Sequence, residues 1–322
     1  MSEEPLVVID HVRKQYGTFV ALEDLSLTVN RGRILGFIGP NGAGKTTTIK
    51  ILVGHARPTS GTATVKGVNC TTQSDQIKRL VGYMPDEFGS YDNMRVSEYL
   101  DFFGAAFSIP RKQRRTRIDE VMEITGVTRM KDLFVESLSH GMKQRVGIAR
   151  TLLHDPELII LDEPANGLDP RARIEMRQLL LDLAELGKTL IVTSHILPEL
   201  ARICDEVAIV SKGRLRAYGT VESILREVGQ RRTWELLLTE NSRIPDLGKL
   251  LQRALEEDAS VELSSTEMTI RFQTTADDEQ VQQLLKRVVS EEFPVVQMRE
   301  VQLDLEDTFM SVTQDDASGA AT

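Results

Sequence analysis

The 322-residue sequence predicts an α/β protein that carries a second, smaller α+β domain. Two observations lead to that class. Between residues 5 and about 220, short apolar segments alternate with helical patterns. Several of them are apolar throughout, as strands covered on both faces of a parallel sheet are. Beyond about residue 220 the order becomes strand–helix–strand–strand–helix–strand, the plan of a small ferredoxin-like domain.

Taken along the chain, residues 33–39 (RILGFIG) read as a buried strand and residues 45–54 (KTTTIKILVG) as the helix after it. From about 87 to 155 the pattern is mainly helical, in VSEYLDFFGAAF, RKQRRTRIDEVMEITGV and a helix after Ser139. That stretch is a helical insertion between two strands of the sheet. Residues 157–163 (ELIILDE) and 189–195 (TLIVTSH) are further continuous apolar strands, and 206–219 form a hairpin. The later elements are a strand at 233–240, a helix from Asp246, a hairpin from 260–265 and 268–274, a helix over 277–292 and a strand at 295–301. The expected domains are therefore 1–222, with its helical part at about 87–155, and 223–312, followed by a disordered tail at 313–322. No internal repeat is visible.

Hydrophobic residues at 41% supply a core, and charged residues at 27% give the profile of a soluble globular protein. No run reaches the roughly 18 apolar residues of a membrane helix, and the start MSEEPLVVID is no signal peptide. Cys70 and Cys204 stand far apart without a CxxC, so neither a disulfide framework nor a zinc site is indicated, and a reducing cytosol suits them. A net charge of −9 argues against a nucleic-acid-binding surface.

Three stretches carry chemistry. Residues 39–47, comprising Gly39, Pro40, Asn41, Gly42, Ala43, Gly44, Lys45, Thr46 and Thr47, fit G-x-x-x-x-G-K-[ST] between a strand and a helix. The glycines let backbone N–H groups curl around phosphate oxygens while the helix aims its positive end at them. Lys45 would reach the β- and γ-phosphates and the Thr46 hydroxyl would serve Mg²⁺. The buried strand LIILDEP ends in two adjacent carboxylates, with Asp162 suited to Mg²⁺ and Glu163 to orienting or deprotonating an attacking water. His195 ends a neighbouring apolar strand, from which its imidazole could donate to the γ-phosphate. In LSHGMKQR, residues 138–145, Ser139 is a helix N-cap, and no Glu or Gln at Met142 closes a capping box. The first-turn amides of His140, Gly141 and Met142 are then expected to face an external anion.

Together these stretches resemble the ATP-binding subunits of ABC transporters, over residues 5 to about 220. The resemblance implies a P-loop NTPase of ABC ATPase type, with a mixed sheet core and a helical subdomain, that binds ATP and Mg²⁺ and hydrolyses ATP. It makes residues 39–47 the Walker A loop, LIILDE the Walker B strand with Glu163 catalytic, and His195 the switch histidine. Tyr16 in KQYGTFVAL would stack on adenine. NGLDP at 166–170 looks like the D-loop, with Asp169 near the dimer interface. LSHGM stands where LSGGQ belongs, so Ser139, His140 and Gly141 would cap a γ-phosphate held by a second subunit, and two chains would pair head-to-tail. Asp86 occupies the place of the Q-loop glutamine, from which it can approach Mg²⁺.

The implied function is to power transport through a separate polytopic permease, in the export direction, by ATP-driven closure of a homodimer. The chain would lie peripherally on the cytoplasmic side of the cell membrane, with no nucleic-acid partner. The closing QLDLEDTFMSVT is similar to the end of ATPase subunits in the type-two exporter branch. ABC ATPases acting on ribosomes usually carry two ATPase domains per chain, and those of DNA repair insert long coiled coils, neither of which is visible here. A nucleotide-gated regulatory protein is the remaining alternative. RKQRRTR, with five basic residues in seven, is open to two readings: a solvated helix face, or a contact with lipid headgroups or a membrane partner.

Overall fold

The computed structural model describes residues 5–86, 89, 93–194, 200–228, 232–255, 261–264 and 266–301. The chain forms two compact units that divide after Val221. The first begins β1 (Pro5–Tyr16), β2 (Phe19–Asn30), β3 (Ile34–Ile38), α1 (Lys45–Leu52), β4 (Ser60–Val65), β5 (Val68–Asn69), α2 (Ser74–Leu80) and β6 (Val81–Met84). It continues α3 (Val96–Ala106), α4 (Arg111–Ile124), α5 (His140–Leu152), β7 (Leu158–Leu161), α6 (Pro170–Glu185), β8 (Thr189–Ser194), β9 (Glu206–Ser211) and β10 (Arg214–Gly219).

Every residue of β3, β7 and β8 is buried. These strands pair in parallel with β6 and β9, in the order β9-β3-β8-β7-β6. Parallel pairing brings their C-terminal ends to one edge, with Ile38 opposite Ser194 and Leu161 opposite Val192. The loops that leave this edge hold the phosphate-loop lysine and the paired acids. On the other side of β9 the sheet continues through β10 to β2, β1, β4 and β5, with every neighbouring pair antiparallel except β10 and β2, which pair in parallel at Arg214 and Asp24.

The resemblance implied this mixed sheet; what the sequence did not single out is its antiparallel half, strands β1, β2, β4 and β5. Its strands bury Leu6, Val7, Ile9, Leu25, Leu27 and Val29 in one cluster with Ile49, Ile51 and Leu52 of α1. Each such aliphatic side chain contributes about 1.5–3 kcal/mol when fully buried. The cluster therefore fixes α1, and with it the phosphate loop, against the sheet.

The helical insertion between β6 and β7 packs Tyr99 and Leu100 of α3, Val121 and Met122 of α4, and Val146, Ile148 and Ala149 of α5. Two of the five basic residues in RKQRRTR hold this packing. The Arg114 guanidinium donates to Asp101 (2.6 Å and 3.3 Å) and to the Ile109 carbonyl. Arg117 donates to the Leu152 carbonyl (2.7 Å) at the end of α5 and to Asp155. Arg111, Lys112 and Arg115 are exposed.

The second unit opens with α7 (Val221–Val228), whose first residue ends the first unit, and contains β11 (Arg232–Leu238), α8 (Ile244–Ala254), β12 (Val261–Ser264), β13 (Thr269–Thr274), α9 (Asp278–Ser290) and β14 (Val295–Val301). Its sheet runs β12-β13-β11-β14 with every neighbouring pair antiparallel. Leu236, Leu238, Ile270 and Phe272 meet Leu247, Leu251, Leu284 and Val288 of the two amphipathic helices. Asp277 and Gln280 form a capping box at the start of α9. The tail at 313–322 and the LEDTF segment lie outside the described residues.

Alternation along β11 sends Glu235 to the face opposite that core, directly across from Arg271 and Arg299. Its carboxylate accepts from Arg271 Nε (2.8 Å) and from Arg299 Nη2 (2.6 Å) and Nε (2.8 Å). These bonds, that from Arg271 foremost, hold the carboxyl below its usual range. A lowered folded pKa stabilises the unit above the unfolded value of about 4.3 and is lost as pH falls through the folded one. Glu235→Gln is expected to lower the unit's unfolding free energy by about 1 kcal/mol at neutral pH. It should also flatten the acid limb of stability. Denaturant titration followed by Trp234, the single tryptophan, measures both.

Candidate active site

Between β3 and α1 the chain passes through a loop shaped by backbone crowding. A Cβ on Gly39 would fall 2.3 Å from the Val210 carbonyl oxygen. Gly44 has φ +109° and a Cβ there would meet Leu22 Cδ2 at 2.6 Å. Only glycine fits either place. Ala43 is tied on both sides, its N–H donating to the Pro40 carbonyl (3.1 Å) and its carbonyl accepting from Gly213 N–H (2.9 Å). Gly44 caps α1 with no side-chain hydrogen bond. The first-turn amides of α1 therefore point into the loop without an intrahelical partner.

Lys45 is only 8% exposed. Its ammonium donates to the Gly39 carbonyl (2.5 Å) and lies 3.9 Å from Glu163 Oε1. Burial lowers its pKa, while the charges of Glu163 and Asp162 raise it. Asp162 is buried at the end of β7. Burial raises its carboxyl, opposed by a hydrogen bond from Thr193; Asp86 adds to the rise and Lys45 counters it. Tyr83, on the adjacent β6, is pushed up to about 12 by burial together with Asp162 and Asp86. Asp86, Asp162, Glu163 and Lys45 thus share one electrostatic site.

Thr193 of β8 is fully buried and bridges the two acids. Its hydroxyl donates to Asp162 Oδ1 (2.6 Å) and accepts from the Glu163 N–H (2.9 Å). Glu163 itself is left-handed, with φ +51°. The sequence did not single out Thr193. Its signal was a hydroxyl following the apolar run Leu190–Val192 near the end of a buried strand, a place it shares with Ser194.

At the start of α5, Ser139 Oγ accepts from the Met142 N–H at 3.4 Å. The expectation of three open amides is corrected to two, those of His140 and Gly141. The His140 ring turns onto its own chain, with Nε2 2.9 Å from the Asn166 carbonyl oxygen. Asn166 begins the segment that caps α6, where Asp169 Oδ1 accepts from the Ala172 N–H (2.9 Å). A Cβ on Gly167 would sit 3.6 Å from the His140 ring, and one on Gly141 would sit 3.3 Å from Ala172 Cβ. Segment 166–169 and the first turn of α5 are thereby packed together.

A protein-family model described as ABC transporter matches residues 22–166. The chain is 36% identical to the Nod factor export ATP-binding protein I of Ralstonia nicotianae, over 71% of this chain and 72% of that protein. The chain belongs to the ABC transporter ATP-binding family. It is also 29% identical to the linearmycin resistance ATP-binding protein LnrL of Bacillus subtilis, over 94% of this chain and 97% of that one. A solved structure of an ATP-binding subunit of an ABC transporter superposes with a TM-score of 0.63 at 30% identity, over 70% of this chain and 93% of that chain. The protein is accordingly an ATPase of the P-loop class, and the fold expected from its motifs is the observed one.

Within this ABC ATPase, Gly39 to Thr47 fill the loop expected to hold phosphate, with Pro40, Asn41 and Gly42 at its exposed tip and Thr46 exposed. Tyr16 ends β1, is 45% exposed and carries the Lys14 ammonium 4.6 Å from its ring centroid. Its hairpin reaches the loop through Leu22. His195 lies outside the described residues. Among the described residues no cluster of three or more His, Cys, Asp or Glu side chains could hold a metal alone. One or two carboxylates with a threonine hydroxyl fit Mg²⁺, which takes its remaining ligands from nucleotide phosphates and water. Lys45→Ala should weaken ATP binding by about 100-fold or more. Nucleotide titration against the parent, with circular dichroism confirming the fold, checks it.

Proposed function

We propose that this ABC ATPase drives export through a separate polytopic permease, as one half of a head-to-tail homodimer on the cytoplasmic side of the membrane. The observation that carries this reading is the division of labour within one chain. Lys45, Asp162 and Glu163 meet at one sheet edge, while the first-turn amides of α5 open at the start of a different element. Each set is half of a phosphate site, and two copies related by a twofold axis complete both.

In that arrangement the loop amides and Lys45 bind the β- and γ-phosphates, and Tyr16 offers a stacking face to the adenine. Thr46, Asp162 and Asp86 would hold Mg²⁺, which supplies charge neutralisation between phosphates. Glu163 orients the attacking water and takes its proton. The amides of His140 and Gly141, with Ser139, face the γ-phosphate of the partner chain. Asp169 stands in the segment that would meet the second subunit.

Among the described residues no helix is long and apolar enough to cross a membrane. A groove of about 1690 Å³ opens between α2, the end of α3 and the start of α4. Phe107 and Lys112 line it, and Phe107 is 38% exposed. This surface suits an amphipathic cytoplasmic segment of the permease. The export direction rests on relatives named for Nod factor export and linearmycin resistance.

Glu163→Gln is expected to retain ATP binding, to lose at least about 100-fold in hydrolysis and to accumulate an ATP-dependent dimer. Sedimentation that shows only monomer with ATP would overturn the paired-site reading. Recovery of the tagged chain from solubilised membranes with a polytopic protein supports the permease; recovery with ribosomes or DNA would refute it.

A further inference from the structure

The two carboxylates at the end of β7 do not hold their own geometry. Asp162 follows a four-residue strand and Glu163 leaves it in a left-handed conformation, which for a non-glycine residue needs support from its surroundings. That support comes from β8, through the hydroxyl of Thr193. A threonine hydroxyl has one proton to give. Here it goes to Asp162 Oδ1 at 2.6 Å, leaving the oxygen lone pairs for the Glu163 N–H at 2.9 Å. The direction of both bonds is therefore fixed.

We infer that Thr193 is a positioning residue, whose hydroxyl sets the Asp162 carboxylate for the metal and the Glu163 backbone for the attacking water together. The inference rests on the proposed assignment of Mg²⁺ to Asp162 and of water activation to Glu163. Three further observations support it. Thr193 is fully buried, so bulk water does not compete with the hydroxyl for either bond. Its β-branched side chain has a stiff χ1, which keeps the oxygen aimed. Finally, β7 and β8 pair in register from Leu158 opposite Thr189 to Leu161 opposite Val192. Thr193 is the next residue along β8, placed to reach past the strand end.

The bond from Thr193 to Oδ1 holds the carboxylate in one orientation, in which it would be presented to the metal. Groups of this kind, bonded to a metal-holding carboxylate, change metal affinity or activity by about 10- to 100-fold when removed. Loss of the hydroxyl would free the Asp162 carboxylate to rotate and release the Glu163 amide at the same time.

The experiment compares the parent with Thr193→Val, Thr193→Ala and Thr193→Ser in the full chain. ATP affinity is titrated in excess Mg²⁺ and again in EDTA, and hydrolysis is measured separately. In Thr193→Val and Thr193→Ala the gain in ATP affinity that Mg²⁺ provides should shrink by about 10-fold or more. Affinity in EDTA should stay at the parent's value, and Thr193→Ser should restore the Mg²⁺ gain. Hydrolysis should fall in kcat more than in KM. A full Mg²⁺ gain in both hydroxyl-free variants overturns the inference, as does an equal loss with and without Mg²⁺. If Thr193→Val fails to fold, the contrast between Ala and Ser decides. A parent chain whose ATP affinity ignores Mg²⁺ would instead refute the metal assignment on which the inference stands.

Discussion

An ammonium group buried to 8% exposure is the constraint around which the first unit is organised. Removing such a charge from water costs several kcal/mol unless opposite charge and hydrogen-bond acceptors surround it. Lys45 meets that condition with the Gly39 carbonyl, Glu163 and the more distant Asp162. Those groups come from two different strand ends, so they assemble only because β3, β8 and β7 run in parallel and finish together. The same arrangement keeps like charges apart. Asp162 and Glu163 are adjacent in sequence, yet one turns toward Thr193 and the other toward Lys45. A polyphosphate entering this site would displace the weaker lysine contacts with stronger, charge-assisted ones.

The start of α5 has a different logic. Its amides are aligned by the helix and by the Ser139 cap, which needs no partner elsewhere. What distinguishes this chain is the ring of His140, which occupies space that a glycine would leave open. By reaching the Asn166 carbonyl, it ties the first turn of α5 to the segment that follows Glu163. On the proposed paired-site reading, the half offered to a second chain is thus tied to the half that would serve its own nucleotide.

Much of this was legible in the sequence because its signals are short-ranged. The phosphate loop, the Asp162–Glu163 pair and the Ser139 cap are each set by residues within one turn or one strand end. The β-α-β-β-α-β order of the second unit was equally visible, since its amphipathic helices and strands carry clean periodicity. What could not be read depends on pairing across long separations. The antiparallel strands β1, β2 and β4 differ from parallel ones only in their partners. Thr193 acquires its role from the register of β8 on β7. Arg114 and Arg117 looked like a basic cluster, yet each is spent on a carbonyl and a carboxylate brought near by the helix packing.

The clamp on the phosphate loop has a genetic consequence. Gly39 lies against the Val210 carbonyl and Gly44 against Leu22 and the Ala21 carbonyl, and a Cβ on Gly213 would fall 2.8 Å from that same Ala21 oxygen. Segments around residues 21 and 210–213 therefore act as the walls of a mould for the loop, although neither contains a recognisable nucleotide motif. Alleles that abolish nucleotide binding should map to these walls as readily as to the loop, and Gly213 is where such an allele would be least expected from sequence and most easily explained in space.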